Sequence, residues 1–209
     1  MKYLLGIDFG GGASKATLLD TVGNIIADNT VEYETLHPFA AACEQSPVDW
    51  IDALCKNIKA LFQKSKVNAE DILSVCIDSA THTFLFCDKD FKPIYNAVHW
   101  TDTRSRKQAD YLRKEYGEGI FKKTFHKPDT IWTLPQLLWF KENKPTLFNK
   151  AKYIFFEKDY IRYFLIGVYC KDYIEAQGSM LFNCEKMQWD STLCDIAGIS
   201  FKMQSQMRL

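Results

Sequence analysis

The segment Asp8-Phe9-Gly10-Gly11-Gly12-Ala13-Ser14-Lys15 sets a carboxylate, a run of glycines and an ammonium in close succession. Glycines in a tight turn let backbone N–H groups approach a bound anion closely. A carboxylate just before them can hold Mg2+, directly or through water, beside phosphate oxygens. Lys15 adds positive charge. The chemistry these residue types suit is therefore phosphate binding, with Asp8 as the metal ligand. The spacing matches neither a Walker A loop nor a G-x-G-x-x-G fingerprint, and a strand rather than a helix follows. A plain glycine hairpin explains the glycines alone. The flanking Asp8 and Lys15 tip the reading towards phosphate.

Strands must carry this turn. Tyr3 to Ile7 is a short apolar run ending at Asp8, Ser14 to Leu19 is apolar again, and Ile25 to Tyr33 follows a Gly23-Asn24 turn. Together they predict an antiparallel meander. Pro47 to Lys64 is predicted helical, because Trp50, Ile51, Leu54, Ile58 and Leu61 recur at helical spacing. Ser46 is positioned to cap that helix, with Pro47 at its first position. Val75 to Asp78 and Phe84 to Cys87 read as strands, and Asp88 to Lys92 as a turn. Pro93 to Trp100 reads as an extended segment ending on Thr101-Asp102-Thr103-Arg104. Helices are predicted over Arg104 to Tyr116, Trp132 to Asn143 (stopped by Pro145) and Lys158 to Leu165 (ended by Gly167). A short strand is predicted at Ile154 to Phe156. Ile199 to Leu209 carries no closing element. This mixture predicts an α/β domain with a mixed sheet.

The chain has 209 residues, 47% hydrophobic and 25% charged, which excludes disordered and collagen-like classes. Lys plus Arg is 26 and Asp plus Glu is 26, a formal net charge of zero, so no global basic excess points to nucleic acid. No apolar run reaches the ~18 residues of a membrane span, so no membrane partner is expected. The first residues look like a signal peptide until Asp8 interrupts them, and a cytoplasmic location is expected. The seven cysteines are scattered without a C-x-x-C pair, so they read as small buried hydrophobes or inert thiols.

Six segments in order resemble the FGGY carbohydrate kinases, of the actin, Hsp70 and sugar-kinase ATPase superfamily. Gly6-Ile7-Asp8-Phe9-Gly10-Gly11 with Ser14-Lys15-Ala16 and Asp20 resembles the family's opening, and Glu44-Gln45-Ser46-Pro47-Val48-Asp49-Trp50 its E-Q-x-P-x-x-W segment. Ile72 to Asp88 resembles a strand pair whose turn contacts substrate. Pro93 to Arg104 resembles P-x-x-x-A-x-x-W-x-D-x-R. Leu137 to Pro145 resembles K-L-x-W-x-x-x-x-P, with Gln136 replacing the leading Lys. Lys158-Asp159-Tyr160, then Gly167 and Asp172, resembles K-D-Y-L-x-x-x-L-T-G-x-x-x-x-D, with Ala176 and Ser179 near its A-S-x-T. The fold this implies is ribonuclease-H-like, with one central mixed five-stranded sheet and flanking helices.

By this resemblance, Asp8 would hold Mg2+ and align the γ-phosphate of ATP, and Gly10, Gly11, Gly12, Ser14 and Lys15 would line the phosphate turn. Many members carry Thr where Gly11 stands, so a hydroxyl is missing here, although Gly11 still offers its N–H. The sugar site would involve Ser79-Ala80-Thr81-His82-Thr83, with Thr81 and His82 as contacts and Asp78 as a further polar contact. Only His82 matches the turn of the D-xylulose members. Either ring nitrogen can donate to or accept from hydroxyls, and a half-buried structural histidine is the alternative. Trp100 would pack on the substrate carbon chain or be an ordinary core tryptophan. Asp102 and Arg104 would bind sugar hydroxyls or cap the next helix.

The general base of the family, an Asp of a Gly-Asp motif on the second domain, has no match beyond residue 180, nor does the adenosine-binding glycine motif. Asp195 precedes Gly198 within a helical run. Residues 1–209 therefore read as the N-terminal sugar-binding domain of a two-domain kinase, inactive by itself. Its implied partners are ATP with Mg2+, a small sugar, and the C-terminal kinase domain of the same protein, with a homodimer left open. Xylulose leads as substrate, ahead of L-ribulose, L-xylulose, gluconate, glycerol and erythritol. The alternatives are a non-enzymatic actin-like or sugar-responsive module, against which Trp100 to Arg104 and Lys158 to Tyr160 argue, and a free-standing short protein from a truncated gene.

Overall fold

A computed structural model of the chain describes residues 1–200 and the short strand Gln206–Met207. The predicted meander is present as β1 (Tyr3–Phe9), β2 (Ala13–Asp20) and β3 (Ile25–Glu32), paired antiparallel. Two short strands follow, β4 (Thr35–Leu36) and β5 (Glu44–Gln45), then helix α1 (Pro47–Ser65). Pro47 occupies the first turn of α1, but the Ser46 side chain makes no capping bond. The strand β6 (Ile72–Ser79) joins β1 in parallel, giving a four-stranded sheet in the order β3-β2-β1-β6. Leu5, Ile7, Phe9, Ala16 and Leu18 alternate onto its buried face, against Trp50, Leu54 and Leu61 of α1. The other face carries Asp8, Lys15, Cys76 and Asp78 and is exposed.

The chain continues through β7 (Phe84–Cys87), β8 (Ala97–Val98), α2 (Arg106–Thr124), α3 (Thr133–Asn143), α4 (Pro145–Lys150), β9 (Tyr153–Phe156) and α5 (Glu157–Ile166). It ends with β10 (Cys170–Lys171), α6 (Tyr173–Gly178), β11 (Phe182–Asn183), β12 (Gln188–Trp189), α7 (Ser191–Ala197) and β13 (Gln206–Met207). The expected single five-stranded central sheet is corrected. The five strands of the second sheet run in the order β4-β5-β8-β7-β9, separate from the first sheet. Phe84, Leu85, Phe86 and Cys87 of β7 are all buried: Phe84 and Phe86 enter one core cluster with the helices, Leu85 and Cys87 enter the cluster of α1 and the first sheet. A strand covered on both faces is apolar throughout, and β7 is.

Helix boundaries shift as well. The helix α2 begins after Arg104 and runs through Gly117 and Gly119, eight residues beyond the predicted end. Pro145 does stop α3, and it also opens α4 as a first-turn residue. Gly167 caps α5 at φ +69°, as read from the sequence. β13 pairs in parallel with β10, an element where none was expected. The remainder of 201–209 lies outside the described residues. Among the described residues, no helix is long and apolar enough to cross a membrane.

Candidate functional site

Parallel pairing of β1 and β6 sets their carboxyl ends side by side, with Asp8 opposite Asp78 and Phe9 opposite Ser79. Ala80 N–H donates to Phe9 C=O at 2.9 Å and locks the two following turns together. Ligands of open α/β sheets bind at such carboxyl ends. On the other side of β1, Asp8 faces Lys15 of β2. Asp8, Lys15 and Asp78 line an open depression of about 380 Å3, floored by Gly6 and Cys76. Partial burial, and then the Asp78 carboxylate, push the Asp8 carboxyl up, while Lys15 pulls it back. Two carboxylates on adjacent strands and one ammonium suit a cation held mainly by water and phosphate oxygens. Among the described residues, no cluster of three or more His, Cys, Asp or Glu forms a closed metal cage.

The glycine turn is held from behind. Tyr33 Oη donates to Gly10 C=O at 2.6 Å, Tyr33 N–H donates to Gly12 C=O at 3.0 Å, and Thr35 Oγ1 donates to Gly11 C=O. Gln45 Nε2 reaches Gly10 C=O at 3.5 Å and Thr35 Oγ1 at 3.2 Å, and Trp50 Nε1 donates to Gln45 Oε1 at 3.2 Å. That chain of contacts gives the spacing Gln45 to Trp50 its physical meaning. The carbonyls are thus taken up on the inner side. Among the described residues, no backbone hydrogen bond uses the N–H of Gly11 or Gly12. None of Gly10, Gly11 and Gly12 takes a left-handed φ. A Cβ there would meet nothing closer than 3.6 Å. Neither strain nor crowding therefore requires glycine in this turn. What the missing side chains leave is bare backbone facing solvent. Ser14 is corrected. It sits on the buried face with Phe9, and its hydroxyl accepts from Asn57 Nδ2 of α1 at 3.1 Å, away from Asp8 and Lys15.

The second turn is built around His82, whose φ is +62°. Its N–H donates to Glu175 Oε2 at 3.0 Å, and its Nδ1 lies 3.3 Å from the same oxygen. The ring stands edge-on to Trp132, which stacks on His126. It also lies on the backbone of α6: a Cβ on Gly178 would sit 1.7 Å from His82 Cε1. Glu175 is fully buried and faces Lys158 Nζ at 3.6 Å, and Lys158 pairs with Asp172 at 2.7 Å. Thr81 and Asp78 are exposed, whereas the His82 ring itself is largely covered. Glu175, Gly178 and Trp132 were missed in the sequence. Their contacts with His82 span 50 to 96 residues of chain, so no local pattern signals them.

Trp100 is 44% exposed, which removes the core-tryptophan reading and leaves its indole free to meet a ligand. Asp102 and Arg104 are buried together. Asp102 accepts from Cys43 N–H at 2.7 Å and from Arg104 Nε and Nη2 at 2.9 and 2.7 Å. Arg104 Nη2 also donates to Glu44 at 2.7 Å, and the guanidinium lies over Phe39 and Trp139. Neither side chain caps α2, whose N-cap is Ser105. Both carboxylate oxygens of Asp102 are engaged within this network, so its charge serves the junction between the segments at 39–45 and 97–104.

A model of the FGGY family of carbohydrate kinases, N-terminal domain, matches residues 3–209. The chain is 32% identical to the xylulose kinase of Bacillus subtilis (strain 168) over 200 residues, covering 96% of this chain and 40% of that protein. It is 31% identical to the glycerol kinase of Thermococcus gammatolerans (strain DSM 15229 / JCM 11827 / EJ3) over 202 residues, covering 95% of this chain and 41% of that protein. Ligand-bound xylulose kinase from Lactobacillus acidophilus superposes with a TM-score of 0.93 at 25% identity, over 100% of this chain and 42% of that one. The chain thus spans well under half the length of these relatives.

Proposed function

As the chain belongs to the FGGY family of carbohydrate kinases, we propose that it is the acceptor-binding half of an ATP-dependent kinase that phosphorylates a pentulose hydroxyl, with xylulose as first substrate. Its fold on this reading is that of the actin-like ATPases, and a C-terminal domain supplies the nucleotide pocket and the general base. The observation that carries the reading is the glycine turn. Three glycines that neither φ nor packing requires make sense where a ligand must touch backbone. A plain hairpin gives no reason for them.

ATP with Mg2+ supplies the phosphoryl group and neutralises its charge when bound. Asp8, with Asp78 beside it, holds the cation side of that assembly. Gly11 and Gly12 direct N–H groups outward, and Lys15 adds charge at the rim. His82, held in place by Glu175, presents its ring to the acceptor together with Thr81, and Trp100 offers a face for the carbon chain. Arg104 and Asp102 hold the segment that carries Trp100.

The test is calorimetric titration of the 209-residue chain with D-xylulose, L-ribulose, gluconate and glycerol. D-xylulose should bind most tightly, and His82→Ala should abolish or strongly weaken it. The identity to the glycerol kinase nearly equals that to the xylulose kinase, so glycerol is the second acceptor to test. Preference for glycerol would replace the pentulose assignment. A folded chain that binds no polyol would favour the non-enzymatic module. Joined to its C-terminal domain, Asp8→Ala should lose phosphoryl transfer while keeping sugar affinity, and near-normal turnover would remove Asp8 from the cation site.

A further inference from the structure

His99 lies just after β8, is 5% exposed, and has its Nε2 buried without a hydrogen-bond partner. The ring lies against the glycine turn. A Cβ built on Gly11 would stand 3.7 Å from His99 Nε2 and 3.8 Å from its Cε1. The other ring nitrogen is engaged, 2.8 Å from Thr101 Oγ1 and 3.4 Å from the Thr101 backbone N–H. A backbone N–H only donates, so Nδ1 is an acceptor, and the proton of the neutral ring sits on Nε2. Burial pushes the imidazole towards its neutral form, against the pull of Asp102. A desolvated N–H donor therefore lies behind a turn whose nearest residue has no side chain.

We propose that His99 is a ligand contact of the glycine turn, donating its Nε2–H, through the space a Gly11 side chain would fill, to a phosphoryl oxygen bound there. This rests on the reading of Gly10 to Gly12 as a phosphate turn and adds an imidazole donor to the turn's own backbone N–H groups. It also accounts for glycine at 11, because a larger side chain would stand between the ring and the ligand. The phosphoryl group has two sources, the terminal phosphate of a nucleotide or the phosphate of a sugar phosphate. Donor chemistry is the same for both.

The experiment is a 15N-histidine and amide NMR titration of the chain joined to its C-terminal domain, one arm with Mg·ATP and one with D-xylulose 5-phosphate. In at least one arm the His99 Nε2 resonance should shift saturably, with the same Kd as the Gly11 and Gly12 amides, and the responding arm names the source. His99→Leu should weaken that Kd about tenfold or more, the scale of one hydrogen bond to a charged group. His99→Gln, which keeps an N–H donor, should recover most of it. If the glycine amides shift while His99 is silent, or if Leu and Gln bind alike, the role of His99 is refuted and the phosphate turn stands. If no amide of the turn responds in a folded chain, the phosphate reading fails and the role of His99 falls with it.

Discussion

Gly178→Ala should act on His82 from across the molecule. The added Cβ would lie 1.7 Å from Cε1, 2.0 Å from Nδ1 and 2.6 Å from Nε2 of the imidazole, all far inside van der Waals contact. The ring must leave its seat or α6 must move. Overpacking of this kind costs about 1–3 kcal/mol. Displacing the ring also disturbs the contacts of His82 with the buried Glu175 carboxylate, worth about 1 kcal/mol more. A loss of roughly 2–4 kcal/mol lowers the melting temperature by about 4–16 °C for a domain of this size. A double-mutant cycle isolates the cause. In a His82→Ala background no ring is present, and Gly178 does not take a left-handed φ, so alanine there is unstrained. Helix propensity then favours alanine by up to ~1 kcal/mol. The cycle, read by urea unfolding of the four proteins, should give a coupling of about 2–4 kcal/mol. Additivity within about 0.5 kcal/mol would refute the seating of His82 on Gly178.

Arg104→Met should destabilise the chain by about 3–5 kcal/mol in urea unfolding, because Asp102 and Glu44 are left buried without their cation. A loss below ~1 kcal/mol would mean the network is solvated. Glu157 is fully buried, neither carboxyl oxygen has a hydrogen-bond partner, and burial, then Glu175 and Asp8, push its carboxyl well above 4.5. The folded state therefore holds a proton that the unfolded state releases, so stability declines as pH rises above 4.5. Glu157→Gln removes that dependence. Its advantage over the parent should widen from pH 5 to pH 8, by about 1.4 kcal/mol for each unit over which only the folded state holds the proton. A pH-independent gap in thermal unfolding would contradict the assignment.

The sequence made some of this legible for reasons that can be traced. The apolar runs of β1 and β2, and the helical spacing of Trp50, Leu54 and Leu61, mark elements that formed close to where they were read. The second sheet was hidden because β4, β5 and β8 are two residues long, too short for any period to show. Ser14 was read by its neighbours in the turn, but strand parity decides its role, since as the second residue of β2, just past the exposed Gly11–Gly12 bend, it already points to α1. Gly178 and Glu175 had no local signal, because they matter only through His82. The Gln45–Trp50 pair was visible as a motif, yet its work, bracing the carbonyl of Gly10, needed coordinates to see.

The buried charges follow from the same geometry. The two turns of the site are fixed directly by β1 and β6, but Trp100 and His99 belong to a segment with only two residues of strand behind it. A segment so weakly paired needs another restraint to hold side chains at the glycine turn. Asp102 binds the backbone at Cys43, Arg104 joins Asp102 to Glu44, and Glu44 in turn accepts from Tyr95 Oη and Asn96 Nδ2 at 2.8 and 3.1 Å. Glu44 precedes Gln45, which reaches back to Gly10. The network thus runs from the glycine turn, through β5, to both ends of the segment carrying His99 and Trp100. Replacing it with apolar residues of equal volume could preserve stability, but no apolar contact would fix direction as bidentate pairing does. The cost of burying these charges is better understood as the means of orienting a ligand-facing loop than as a source of stability.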